Sequence, residues 1–201
     1  MSSPARSPVA IILAAGEARR FGTQKLLAPL SGRPLLQQVI DAANASSLAD
    51  VVLVVGADAD ALLAALRLGR VRVIRNADYA SGQASSLEAG LRALGDVDAV
   101  VVLLGDVPGV TVALIEALLA KQRATGAPAV LSRWAGQRMP PVVLHRDLWP
   151  AALALRGDVG MREVLAGRDD LADVEVTGAL GALDDVDTRN DHERLAKGRY
   201  R

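Results

Sequence analysis

The stretch "VAIILAAGEARRFGTQK", residues 9–25, joins an apolar run to two small residues, a glycine, two arginines, a second glycine and a lysine. The run from Val9 to Leu13 is continuously apolar rather than alternating, which reads as a strand buried on both faces of a parallel sheet. In an open sheet of that kind ligands collect beyond the carboxyl ends of the strands, so the residues that follow stand at the mouth of a site. Ala14, Ala15 and Gly16 leave the backbone open to close approach, and their amides can form an anion-binding nest. Arg19, Arg20 and Lys25 add positive charge, and the ligand expected is a polyphosphate. Two familiar phosphate loops are excluded by spacing. Gly16 and Gly22 do not form Gly-x-Gly-x-x-Gly, and Gly22 precedes Thr23 rather than a Lys-Ser/Thr pair. Taken alone, the stretch also admits a plainer reading, in which the glycines turn the chain and the arginines are solvated.

Composition limits where the charge can come from. The 23 basic side chains are balanced by 23 acidic ones, so no global field draws in nucleic acid or an anionic membrane, and any anion is recognised locally. The chain has no cysteine, which excludes disulfides, thiolate metal sites and a cysteine nucleophile. About half of its 201 residues are apolar and only five are aromatic, so the core is built from Ala, Leu and Val. The start of the chain, "MSSPARSPVA", lacks the basic head and long apolar stretch of a signal peptide, and no apolar run reaches the length of a membrane span. The expectation is a cytoplasmic protein with a loose tail over residues 1–8 and one domain over 9–201.

Further apolar runs follow: "VVLVV" (51–55), "VRVI" (71–74) and "DAVVVLL" (98–104). Helical patterns lie between them. "PLLQQVIDAANAS" (34–46) opens with Pro at a first helical position, "ADALLAALRL" (59–68) ends at Gly69 as C-cap, and "SSLEAGLRAL" (85–94) carries Ser85 and Glu88 in a capping-box arrangement. Strand and helix in this rhythm predict an α/β fold: a single doubly wound, mostly parallel sheet with helices on both faces. After residue 125 the rhythm loosens. "APAVLSRW", "PPVVLH" and "ADVEVT" read as strands, "DLWPAALAL" and "VGMREVLAG" as helices, and "DVDTRNDHERLAKG" as a strand end leading into a last helix. No linker, repeat or low-complexity tract interrupts the chain.

The segment "LAAGEARRFGTQKLLAPLSGRPLL" (13–36) resembles the signature of the nucleotidyltransferases that include the molybdenum cofactor cytidylyltransferases and guanylyltransferases. That pattern is approximately LAAG-x-S-x-R-M-G-x-x-K followed by L-L-x-x-G-x-P-L-L. "NADYASGQASSLEAGL" (76–91), "LLGDVPGVT" (103–111), "GDVGMREVL" (157–165) and "DVDTRNDHERL" (185–195) extend the resemblance in the expected order over nearly the whole chain. It implies a Rossmann-like nucleotidyltransferase fold and a chemistry in which a nucleoside triphosphate, with Mg²⁺, gives its nucleotidyl group to an acceptor phosphate and releases pyrophosphate. Carried over by position, Leu13, Ala14, Ala15 and Gly16 cradle the phosphates, Arg20 neutralises the departing pyrophosphate, and Lys25 contacts the α-phosphate region. Ala18, Phe21 and Gln24 depart from the usual Ser, Met and Pro without removing a charge.

Asp106 follows the strand "AVVVLL" and is a hard-oxygen ligand suited to Mg²⁺; the resemblance implies the same, while a cap for the helix near Thr111 is the competing reading. Asp185 and Asp187 alternate, so an extended chain places both on one face. The resemblance marks Asp187 as second metal ligand, against a role for Asp187 and Thr188 as helix caps. Asn76, Gln83, Ser85 and Ser86 are uncharged donors and acceptors of the sort that read a base edge, or else a helix cap with its polar loop. His145 and His192 lie in no metal-ligand spacing and read as ordinary surface or core histidines. Met139 and Pro140 replace the Gly-His found in many cytidylyltransferases beside the acceptor pocket, whereas Gly157, Asp158, Gly160 and Arg162 keep the Gly-Asp-x-Gly-Ala-Arg pattern. The implied partners are a nucleoside triphosphate, CTP first, a molybdopterin-like acceptor, and an acceptor molybdoenzyme or its chaperone. Competing classes are an oxidoreductase of the same fold and a non-catalytic nucleotide-dependent cofactor-binding protein.

Overall fold

A computed structural model describes residues 7–16, 21, 24–56 and 58–198. Its strands are β1 (Val9–Ala14), β2 (Pro29–Leu30), β3 (Arg33–Pro34), β4 (Asp50–Val55), β5 (Arg72–Arg75), β6 (Ala99–Leu104), β7 (Ala129–Trp134), β8 (Gln137–His145) and β9 (Ala172–Glu175). Its α-helices are α1 (Leu35–Ala45), α2 (Ala59–Ala64), α3 (Gln83–Arg92), α4 (Val112–Thr125), α5 (Trp149–Leu153), α6 (Met161–Leu165) and α7 (Arg189–Ala196).

Seven strands form one sheet in the order β5-β4-β1-β6-β8-β7-β9, and β2 pairs with β3 apart from it. β5, β4, β1 and β6 are mutually parallel. Only β8 runs against its neighbours β6 and β7, and β9 returns parallel to β7. The alternation of side chains along β1 shows why a continuous apolar run is needed. Ala10, Ile12 and Ala14 pack on one face with Leu36, Val39 and Ile40 of α1 and Leu114, Ile115 and Leu118 of α4. Val9 and Ile11 pack on the other with Leu87 and Leu91 of α3, Ala152 of α5 and Leu165 of α6. Each fully buried Ile or Leu contributes about 1.5–3 kcal/mol, so neither face tolerates a polar residue without a partner. The expected doubly wound, mostly parallel sheet is what the chain forms.

Several boundaries differ from the sequence reading. α1 begins at Leu35, because Pro34 is extended (ψ 145°) and belongs to β3. α2 closes at Ala65, well before Gly69; Gly69 is a turn residue with φ +60°. α3 starts at Gln83, so Ser85 is inside the helix and cannot be its N-cap; its hydroxyl donates to the Gly82 carbonyl at 2.8 Å, and Glu88 pairs with Arg92 instead. The segment before α7 forms no strand. Burial nevertheless alternates there, with Asp184 and Val186 inward and Asp185 and Asp187 partly exposed, as an extended chain requires. Of the tail expected over 1–8, residues 1–6 lie outside the described residues, and the Pro8 carbonyl already accepts from the Ala49 amide at 2.8 Å.

Candidate active site

Between β1 and β6 the strand order reverses, and the cleft opens beyond the carboxyl ends of these two strands, where such sheets bind ligands. The Gly105 amide donates to the Leu13 carbonyl at 2.9 Å and fixes the two strand ends side by side. The cleft holds about 380 Å³ and is lined by Leu13, Ala14, Ala15 and Gly16 from the first loop, with Lys25, Gln83, Ser86 and Asp106. A Cβ built on Gly16 meets nothing within 4 Å, so the backbone there faces open space. Arg20 lies outside the described residues.

Lys25 starts a single 3₁₀ turn whose middle residue, Leu26, is buried against the core. Its Nζ donates to Asp106 Oδ2 at 2.7 Å and to Asp187 Oδ1 at 3.0 Å. Burial works against the charge on Lys25, but the Asp106 carboxylate, and after it Asp187, outweighs burial and holds the ammonium above its ordinary value of 10.5. A raised lysine contributes its stabilisation fully below that ordinary value and loses it only as pH rises through the folded one, so the ammonium is charged throughout the neutral range.

Asp106 and Asp187 meet because the chain before α7 lies along the loop after β6. The Val186 amide donates to the Asp106 carbonyl at 3.1 Å, the Ala182 amide to Gly109 at 3.3 Å, and the Thr111 hydroxyl to the Leu180 carbonyl at 2.7 Å. Leu183 and Val186 are fully buried beneath this strap. Gly109 permits the approach, since a Cβ there would stand 2.0 Å from the Ala182 carbonyl oxygen. Neither aspartate caps a helix. Thr111 caps α4, accepting from the Leu114 amide at 3.1 Å. Thr188 caps α7 in a reciprocal box with Asp191. Both carboxylates are thereby left to face one cation.

The two oxygens within 3.0 Å of a single nitrogen are hard donors aimed at one point, which suits a small divalent ion. Like charges gathered around one point repel, and a cation between the two carboxylates offsets that repulsion. Among the described residues no group of three His, Cys, Asp or Glu side chains could hold a metal. An ion bound here would take its remaining ligands from substrate phosphate and water, as Mg²⁺ does.

The residues expected to border a base divide. Gln83 and Ser86 line the cleft. Asn76 and Ser85 do not: Asn76 Nδ2 donates to Ser85 Oγ at 2.9 Å and to Ser86 Oγ at 3.1 Å, and its Oδ1 accepts from the Asp78 amide at 2.9 Å. With its amide engaged on both sides, Asn76 positions the start of α3 rather than facing a ligand. Tyr79, Ala80 and Gly82 also line the cleft and were not singled out by type or spacing; Asp158, which the Gly-Asp-x-Gly-Ala-Arg pattern marked, lines it too. Asp158 arrives because Gly82, at φ +111°, lets the 157–158 backbone dock on the start of α3; a Cβ there would stand 2.2 Å from the Gly157 carbonyl carbon. Its signal in the sequence was the "GDVG" segment and the family pattern it resembles. Met139 and Pro140 are not in the lining, but β8 pairs Val142 with Val102 of β6, so both sit further toward the mouth beside the chain leading to Asp106. His192 bonds the Pro29 carbonyl at 2.9 Å and His145 caps a short turn, structural roles for both.

A doubly wound sheet with a cleft at its switch point, and a lysine ammonium between two carboxylates there, defines an α/β protein with its candidate site where such sheets bind ligands. The chain belongs to the MobA-like NTP transferase family, whose domain it matches over residues 10–174. It is 32% identical over 197 residues to nicotine blue oxidoreductase of Paenarthrobacter nicotinovorans, covering 92% of this chain and 94% of that protein. It is 30% identical over 207 residues to the purine catabolism protein PucB of Bacillus subtilis, covering 96% and 98%. Among solved structures it resembles Rv0371c of Mycobacterium tuberculosis, with a TM-score of 0.84, 28% identity and coverage of 96% and 99%. That protein is also known in complex with manganese (TM-score 0.79, 25% identity, coverage 96% and 99%).

Proposed function

We propose that the protein transfers a nucleotidyl group from a nucleoside triphosphate, CTP first, to a phosphate-bearing acceptor of the molybdopterin kind in the cytoplasm, releasing pyrophosphate. The observation that carries the reading is the convergence of Lys25, Asp106 and Asp187 at the cleft beyond β1 and β6. An acceptor phosphate oxygen attacks the α-phosphorus, the bond from that phosphorus to the bridging oxygen breaks, and the electron pair leaves with pyrophosphate. Such chemistry asks for alignment and neutralised oxygens rather than a covalent nucleophile. The Leu13–Gly16 backbone holds the phosphates, Lys25 meets the α-phosphate, Arg20 serves the leaving pyrophosphate, and Gln83 with Ser86 borders the base. Asp106 and Asp187 would hold Mg²⁺, which when bound neutralises phosphate charge. The product would then pass to a molybdoenzyme or its chaperone.

The test is a panel of CTP, GTP, ATP and UTP, each with Mg²⁺ and molybdopterin or sugar-phosphate acceptors, read by pyrophosphate. Acceptor-dependent pyrophosphate from one triphosphate is expected; none from any pair would end this reading. The name of the first relative motivates one control, a nicotinamide-cofactor titration, for which the loop offers no Gly-x-Gly-x-x-Gly.

A further inference from the structure

The Lys25 ammonium does not merely approach the two carboxylates. It stands where both of them point, 2.7 Å from one oxygen and 3.0 Å from the other. A Mg²⁺ ion held by the same oxygens needs them at about 2.0–2.1 Å, in the space the ammonium fills. A single positive charge and a double one cannot share that space, so one of them must leave. The ammonium is the one free to travel. Its backbone is fixed by the buried Leu26, but the four-carbon side chain is flexible, and Gly16 and the Ala14–Ala15 backbone line the same cleft. Phosphate bound there would give the ammonium a new partner and the incoming ion its missing ligands in a single event.

We propose that Lys25 is a resident counter-ion in the cation seat, which keeps a free divalent ion out and yields the seat only when a triphosphate draws the ammonium toward its phosphates. The protein therefore takes its metal together with the nucleotide and not ahead of it. This rests on the nucleotidyl-transfer reading for the identity of the phosphate, but the exclusion of free metal is a property of Lys25, Asp106 and Asp187 alone.

The experiment is a titration of the nucleotide-free protein with Mn²⁺ alone, followed by the loss of the free-ion electron paramagnetic resonance signal. Wild type should bind weakly. Lys25→Met and Lys25→Gln should bind at least tenfold more tightly, Lys25→Arg should stay as weak as wild type because it restores the charge, and the gain should vanish in Lys25→Met combined with Asp106→Asn. Circular dichroism and melting temperature confirm that each variant is folded. Met and Gln variants that bind Mn²⁺ no better than wild type overturn the proposal, as does an Arg variant that gains equally. Pyrophosphate release by wild type is scored separately. Turnover without the Mn²⁺ gain sinks the counter-ion alone, whereas the gain without turnover for any triphosphate sinks the transferase reading and leaves the counter-ion standing.

Discussion

Asp187 sits next to a threonine that relieves it of capping duty, and that division of labour decides what its loss should cost. Thr188 accepts from the Asp191 amide at 3.2 Å, so replacing Asp187 by Asn leaves the helix start intact. The Asp187 side chain is 47% exposed against 23% for Asp106, and water screens the former more. Asp106→Asn is therefore expected to lower turnover by about a hundredfold or more, in the range for loss of one preorganised electrostatic contact, and Asp187→Asn by less. The melting temperature should change little in either. The double variant should be hardly worse than Asp106→Asn, since residues acting as a unit are non-additive. Steady-state kinetics beside thermal melts check this; additive losses, or a fall in melting temperature that tracks activity, would return both residues to a structural role. Asp106 was readable because an aspartate at the end of an apolar strand has few places to go. Tyr79 was not, and Asp158 only through the resemblance of its "GDVG" segment, because their place in the cleft depends on backbone contact between remote loops.

At the scale of elements, α3 shows where a short pattern misleads and α7 where one holds. Ser85 and Glu88 have the spacing of a capping box, yet α3 begins two residues earlier, and the pattern works only when its first residue is outside the helix. The box that forms is Thr188 with Asp191: the Thr188 amide and hydroxyl donate to Asp191 Oδ2 at 2.9 and 2.7 Å. The Thr188 hydroxyl, chiefly, holds the Asp191 carboxyl below its ordinary 3.8, against the opposing effect of burial and with help from backbone amides. A carboxylate lowered on folding stabilises above its unfolded pKa and loses that contribution as pH falls through its folded one. Thr188→Ala should thus cost about 1 kcal/mol at pH 7, and the gap to wild type should shrink as pH falls below the ordinary carboxylate range and through the lowered value of Asp191. Urea melts at pH 7 and at low pH measure it; a gap independent of pH would mean the box carries no charge-dependent part.

For the whole molecule, the parallel half was legible and the other half only in pieces. Strands β1, β4 and β6 announce themselves as unbroken β-branched runs because both faces are covered. The reversal at β8 has no such signature, since its apolar residues are the same types in either direction. The strap over residues 180–187 is hidden for a different reason. It is held by backbone bonds to Gly109 and Asp106, and backbone partners leave no trace in side-chain pattern. Gly109→Ala tests how far the cleft depends on it. A methyl group 2.0 Å from the Ala182 oxygen must push the strap away, at a cost of roughly 1–3 kcal/mol, and Asp187 should move with it. The expected result is lower stability together with turnover no better than that of Asp187→Asn. Full activity in the Gly109→Ala protein would show that the strap does not set the site.

The strap also imposes an order in time. Lys25 and Asp106 leave the ribosome long before Asp187, which comes 162 residues after Lys25, and at usual rates of synthesis the interval after Asp106 is on the order of ten seconds. During that interval the strands β1, β4, β5 and β6, Lys25 and Asp106 have all been made, while Asp187 has not. The second carboxylate therefore joins Lys25 and Asp106 last of the three. The pair of carboxylates is complete only when Leu183 and Val186 are buried and bring Asp187 beside Lys25.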